Sequence, residues 1–206
     1  MENLVLTHDL IYLASQSPRR RQLLDQLGVR HELLLPGADE DAEALEATRA
    51  GEAPRDYVER ATRAKLKAAR DRRAARGLPP APILCSDTTV ALGRRILGKP
   101  ADAAEAAATL RALSGRLHHV LTAVAVWDGR RTLFAVSDSR VRFAELPPAV
   151  IDAYVASGEP FGKAGAYAVQ SSLAGWIPSL EGSYSGIMGL PLYETTQLLR
   201  QARVRV

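Results

Sequence analysis

Cysteine is nearly absent from this chain. Cys85 stands alone, so no internal disulfide can form, which is the habit of a reducing compartment. It follows Ile83 and Leu84 in an apolar run, and reads as a small core residue rather than a nucleophile. Long hydrophobic runs are lacking as well: none approaches the roughly 20 residues that cross a bilayer. The opening MENLVLTHDL has neither the basic start nor the apolar core of a secretory signal. A cytoplasmic location with no membrane partner is the expectation. Aromatic residues make up only 5% and no nucleic-acid-binding module is recognisable, which argues against nucleic acid as a partner. Lysine is scarce too. Among 27 basic residues only Lys65, Lys67, Lys99 and Lys163 are lysines. A chain that otherwise uses arginine keeps lysine where a compact point charge is wanted.

What remains is an ordinary globular composition: 206 residues, 47% hydrophobic, 24% charged, with a formal net charge of +4. The mild positive charge favours polyanionic ligands without naming one. No repeat, low-complexity segment or linker divides the chain, so residues 1–206 are expected to form a single domain. The most informative stretch is Leu10–Leu27, LIYLASQSPRRRQLLDQL. An apolar run from Leu10 to Ala14 predicts a buried strand. Ser17 is placed to cap a helix that has Pro18 in its first turn, Leu23, Leu24 and Leu27 along one face, and Gly28 as its stop. Arg19, Arg20 and Arg21 then sit at a helix N-terminus, where partial positive charge makes cations least welcome. Either an anion such as a phosphate chain compensates them, or they splay into water.

Farther on, His31–Pro36 predicts a short strand. The acidic stretch Gly37–Glu52 holds Asp39, Glu40, Asp41, Glu43 and Glu46; it is either a solvated face or the source of a carboxylate for a divalent metal. Pro54–Arg76 carries the longest helical pattern, with Lys65 at the border of its apolar face. Pro82–Val90 reads as a buried strand interrupted by Ser86, Asp87, Thr88 and Thr89, followed by a hairpin tip at Leu92–Ile96 and then Lys99. Asp87 suits either a catalytic pairing with that lysine or a hydrogen bond to its own turn. Asp102 and Glu105 open a helix over Ala103–Leu113. Two long strands, Leu117–Trp127 and Thr132–Phe143, join across Asp128-Gly129. His118 and His119 lack a partner at metal spacing and read as exposed strand residues. A helix starts at Pro147. The glycine-rich Glu159–Gln170 holds Lys163 at the wrong spacing for a Walker loop, yet lets backbone approach a ligand. Leu173–Leu180 and Tyr184–Met188 read as a strand pair, and a helix closes the chain. Helices interleaved with long hairpins predict an α/β or α+β fold with a mixed sheet.

Three segments taken together resemble the Maf family of nucleoside triphosphate pyrophosphatases: LASQSPRRRQLL at 13–24, SDTTVALGRRILGKP at 86–100, and KAGAYAVQ at 163–170 followed by GLPL at 189–192. With Tyr57 and Lys65 between the first two, the resemblance covers nearly the whole chain. It implies an α/β fold with an elongated mixed β-sheet flanked by helices, in two lobes around a central cleft. It also implies hydrolysis of nucleoside triphosphates to the monophosphate and pyrophosphate, a divalent cation (Mg or Mn) as cofactor, and an assembly that is commonly a homodimer. Asp87 falls on the family's proton acceptor, with Lys65 and Lys99 as catalytic companions. Glu40 matches an acidic position near the metal, which Asp87 would also ligate. Ser15, Arg19, Arg20 and Lys163 match positions lining the cleft. Arg19, Thr88 and Gln170 match the branch that resembles the dTTP/UTP pyrophosphatases. The 7-methyl-GTP branch instead tends to carry a small polar residue, Gln and Glu at those positions. A neutral Gln170 amide both donates to and accepts from a pyrimidine edge. Ser86 replaces a more usual alanine, and Ser171-Ser172 a glycine-containing turn. The competing expectation is a non-catalytic nucleotide-binding regulator of cell division, which would need the arginine helix but not Asp87 and Lys99 together.

Overall fold

The computed structural model describes residues 8–38, 40, 41 and 44–206. Asp39 and Glu43 of the acidic run, and the start of the amino-terminal stretch, lie outside them. The elements follow in chain order as strand β1 (Ile11–Leu13), helix α1 (Pro18–Gln26), β2 (His31–Leu33), α2 (Pro54–Ala75), β3 (Ile83–Leu92), β4 (Arg95–Leu97), α3 (Ala103–Leu113), β5 (Leu117–Trp127), β6 (Thr132–Arg142), α4 (Pro148–Ala156), β7 (Ser179–Glu181), α5 (Tyr184–Met188) and α6 (Leu192–Gln201). The strands form one mixed sheet of seven, in the order β2-β1-β3-β5-β6-β7 with β4 beside β3. Pairing is parallel between β1 and both β2 and β3, and antiparallel elsewhere. This is the expected α/β class with a mixed sheet and flanking helices. No helix of the described residues is long and apolar enough to cross a membrane.

The two faces of the sheet follow from the strand period of two. On one face Ile83 and Cys85 of β3 pack with Leu66 and Ala69 of α2, and Ala91 packs with Tyr57 and Val58. Cys85 is wholly buried, as its neighbours foretold, and burial pushes its thiol pKa up to about 12. The opposite face holds two apolar clusters. One joins Leu84, Val124 and Val126 to α1 and α6 through Leu23, Leu24, Leu198 and Leu199. The other joins Val90, Val120 and Val141 to α3 and α4. Between the clusters a polar band crosses three strands: Thr88 pairs with Thr122, and Thr122 with Ser137, while Ser86 and Ser139 flank that row on the same face. Helix α5 lies over this band, with the Gly186 carbonyl accepting from Thr122 at 2.7 Å.

Three expectations are corrected. His118 is not exposed: it is wholly buried, 5.4 Å from the Phe143 ring centroid and 2.8 Å from the Tyr167 hydroxyl through Nε2. Burial pulls its pKa down to about 4, so it stays neutral at physiological pH. Only His119 is partly exposed, beside Asp138. Next, the strand pair expected over 173–188 is a 3₁₀ helix (Ser172–Trp176), a three-residue strand and helix α5. The Ser183 hydroxyl accepts from the Gly186 N–H at 2.9 Å, and Gly189 at φ 120° ends the helix, so local capping outweighs the apolar pattern. Finally, Ser17 occupies the N-cap of α1, but its side chain makes no capping hydrogen bond; its N–H donates to the Ser15 hydroxyl at 3.1 Å.

The segment 163–170 reaches the sheet through Gly165, whose φ is 70°. A Cβ there would lie 2.7–2.9 Å from the Val90 side chain, so the close approach and the left-handed backbone both require glycine. Gly165→Ala is expected to destabilise the fold by about 2–3 kcal/mol, combining overpacking with backbone strain. Chemical denaturation should show the loss, and Val90→Ala in the same chain should recover only the packing part.

Candidate active site

Strand β3 has two partners on the edge facing β1 and β4, and neither covers its middle. Strand β1 reaches Ile83 and Leu84, and β4 begins at Val90. Along residues 85–89 no strand of the described residues pairs with that edge. The gap lets side chains from both faces of β3 reach one space: Asp87 from the α2 face, Ser86 and Thr88 from the other. The resulting cleft has a volume of about 490 Å³. Its walls are the β1–α1 turn and start of α1 (Ala14–Arg20), the side of α2 bearing Lys65 and Arg72, the segments 162–164 and 167–170, and the end of α5 up to Gly189.

Nine of the residues expected from sequence line this cleft: Ser15, Arg19, Arg20, Lys65, Asp87, Thr88, Lys99, Lys163 and Gln170. Six cations and two carboxylates face it, a balance that attracts a polyanion. One charged chain links four of them. Lys65 Nζ lies 2.8 Å from Asp87 Oδ1 and 2.7 Å from Glu46 Oε1, and Lys99 Nζ lies 2.6 Å from Glu46 Oε2. Asp87 Oδ2 makes no hydrogen bond among the described residues and is left for a ligand or a water. Burial works against the Glu46 carboxylate, but Lys65 and Lys99 outweigh it and hold its pKa below the usual value.

On the opposite wall Arg20 donates through Nε to the Gly189 carbonyl (2.7 Å), through Nη1 to the Ser15 hydroxyl (3.2 Å) and through Nη2 to the Thr88 hydroxyl (3.3 Å). A guanidinium has five N–H groups, so two remain for a ligand. Burial lowers its pKa, with the neighbouring Arg19 acting in the same direction and Asp87 against it; it remains charged. Arg19 donates to the Met188 carbonyl at 3.4 Å. Lys163 donates to the Glu159 carbonyl. Its pKa is lowered by partial burial and then by the neighbouring Arg19 charge. Gln170 is exposed at the rim.

Glu40 is the one expected residue that the structure does not bring to the cleft. Its carboxylate is spent on Arg72, with Arg72 Nε 2.7 Å from Oε1 and Nη2 2.5 Å from Oε2. Arg72 also donates to the Leu34 carbonyl at 2.9 Å, so the pair ties the acidic loop to β2 and α2. Glu46 stands in the cleft instead, on the 3₁₀ turn Ala44–Glu46. The Tyr57 hydroxyl steadies that turn by donating to the Glu46 carbonyl at 3.0 Å. In the sequence Glu46 was one of six acids in Gly37–Glu52 with nothing to set it apart.

Residues 10–202 match the family whose description reads Maf-like protein. The chain belongs to the Maf family. Curated relatives agree over nearly their full length. A Polaromonas sp. protein is 64% identical across 96% of this chain and 98% of its own. One from Albidiferax ferrireducens is 60% identical across 96% and 99%, and one from Ralstonia nicotianae is 60% identical across 99% of each. Each of the three is named dTTP/UTP pyrophosphatase.

The bidentate Arg72 pair holds the Glu40 pKa down to about 2 from an ordinary 4.5. A depressed carboxylate pKa adds stability above about pH 4.5 that is lost as pH falls toward 2. Glu40→Gln is expected to flatten this acid limb in a profile of Tm against pH. A carboxylate serving the reaction instead would leave the limb intact and lower kcat.

Proposed function

We propose that this chain hydrolyses dTTP and UTP to the monophosphate and pyrophosphate, using Asp87, Lys65 and Lys99 at the gap in the sheet. The observation that carries the reading is the Asp87–Lys65–Glu46–Lys99 chain facing Arg20 across a cation-rich cleft, in a chain 64% identical to a named dTTP/UTP pyrophosphatase. A nucleoside triphosphate brings up to four negative charges. Arg19, Arg20, Lys99 and Lys163 meet them from separate walls, so the polyphosphate is held at several points and the α-phosphorus is oriented. Asp87 has one oxygen held by Lys65 and the other available to a water aimed at that phosphorus. Attack breaks the bond between the α-phosphorus and its bridging oxygen; Lys65 and Lys99 stabilise the charge that develops on the departing pyrophosphate.

The donor set suits a divalent cation such as Mg²⁺ or Mn²⁺. Magnesium takes one or two protein carboxylates and completes its shell with phosphate oxygens and water. Two carboxylates beside a phosphate-binding wall fit that pattern, and among the described residues no group of three or more metal-ligating side chains forms a self-sufficient cage. Asp87 and Glu46 would hold the ion, which when bound neutralises phosphate charge and acidifies a coordinated water. Base choice rests on Gln170 at the rim, whose amide offers one donor and one acceptor face to a pyrimidine.

A panel of nucleoside triphosphates with Mg²⁺ tests this directly: dTTP and UTP are expected to release pyrophosphate and no orthophosphate, faster than purine triphosphates. Asp87→Asn should lower kcat by more than about a hundredfold while nucleotide binding persists; near-normal turnover would remove Asp87 from the reaction. Gln170→Glu should reduce kcat/KM on dTTP and UTP by about tenfold or more, and an unchanged profile would mean the base is read elsewhere.

A further inference from the structure

Thr88 lines the cleft, yet its hydroxyl spends its one hydrogen and one of its two lone pairs inside the protein. The Thr122 hydroxyl lies 2.7 Å from the Gly186 carbonyl, which can only accept, so Thr122 donates its single hydrogen there. The 3.0 Å contact between Thr88 Oγ1 and Thr122 Oγ1 must then run from Thr88 to Thr122. Arg20 Nη2 donates to Thr88 Oγ1 at 3.3 Å. The direction of every hydrogen is thereby set: Arg20 to Thr88, Thr88 to Thr122, Thr122 to the backbone of α5. Thr122 is wholly buried and does not itself line the cleft. Thr88 has no hydrogen left to offer a nucleobase. The neighbouring Gly189 closes the arrangement: its carbonyl accepts from Arg20 at 2.7 Å and lies 2.9 Å from the Ser86 hydroxyl, whose single hydrogen it shares with the Ala123 carbonyl at the same distance. A Cβ on Gly189 would lie 3.4 Å from Arg20 Nε, at a backbone φ of 120°.

We propose that Thr122 and Thr88 are positioning residues that form a one-way hydrogen-bond relay running from the Arg20 guanidinium to helix α5, so Thr88 acts on the phosphate tail through Arg20. The relay aims the two remaining Arg20 N–H groups into the cleft. It rests on the reading that this cleft takes a nucleoside triphosphate, and inorganic tripolyphosphate separates the two, since it has phosphates but no base and no ester to a nucleoside.

Calorimetric binding of tripolyphosphate to the full chain, with steady-state kinetics on dTTP, UTP and CTP, tests the relay. Thr122→Val, which keeps the shape and removes the hydroxyl, is expected to weaken tripolyphosphate binding about tenfold, the effect of losing a hydrogen bond to a charged group. It should raise KM for all three nucleotides by the same factor with kcat little changed. Thr122→Ser should restore binding, and a Thr88→Val, Thr122→Val double variant should be no worse than either single one. Should Thr122→Val prove too unstable to assay, Thr88→Val with Thr88→Ser as its rescue gives the same comparison. Wild-type tripolyphosphate affinity in Thr88→Val, together with an altered ratio of dTTP to CTP use, would overturn the relay and make Thr88 a base reader. Additive losses in the double variant would also overturn it. Wild-type protein that binds tripolyphosphate but releases pyrophosphate from no nucleotide would instead contradict the proposed hydrolysis alone.

Discussion

Between Leu84 and Val90, strand β3 is paired along one edge only, and much of the site depends on that interruption. In a continuous sheet, residues 87 and 88 would point into separate layers and never share a ligand. Here β1 diverges after Leu84 and β4 starts at Val90, so Asp87 and Thr88 open onto a common space. The same gap admits Lys65 from α2 and Arg20 from α1. The apolar clusters on either side of the polar band explain why the opening does not collapse: Leu84 and Val90 each belong to a different core, and each core is closed by its own helices.

Electrostatics then assigns tasks within the cleft. With Arg72 neutralised by Glu40, five cations against two carboxylates still leave an uncompensated positive charge that an incoming polyphosphate can neutralise. The carboxylates are not diluting that charge at random. Glu46 bridges Lys65 and Lys99, and Asp87 shares Lys65 with it, so two flexible lysines are held in place before any ligand arrives. Preorganisation of this kind lowers the cost of ordering long side chains when the ligand binds. Arg20 is held differently, by a carbonyl and two hydroxyls. Neutral acceptors orient a guanidinium without using up its charge.

The sheet, its long hairpin and the helices α2 and α3 were legible because period, caps and the Asp128-Gly129 turn agree with one another. The charged site was legible in part. Arg19, Arg20 and Arg21 broke a local rule at a helix start, and the scarcity of lysine drew notice to Lys65, Lys67, Lys99 and Lys163; five of these line the cleft, while Arg21 faces solvent and Lys67 pairs with Asp71. What escaped depended on contacts far apart in sequence. Glu40 and Glu46 differ by six residues in one acidic run, and only the position of Arg72 on α2 decides which of them is tied down. His118 sits in a strand whose face could be assigned only once Tyr167 and Phe143 were seen against it. Helix α5 looked like a strand because its five residues are too few to reveal a period. Thr122 did leave a signal: a threonine interrupting the apolar run LTAVAVW marks a polar position inside a buried face.

The central claim is that cations from α1, α2, the β4–α3 connection and the 163–170 segment meet one triphosphate at the open edge of β3. A crystal structure with the non-hydrolysable α,β-imido analogue of dUTP tests it most directly. The account requires the polyphosphate to lie between Arg20 and the Lys65–Lys99 pair, with its α-phosphorus nearest Asp87. A polyphosphate bound away from β3, or one reversed so that the γ-phosphate sits beside Asp87, would contradict it.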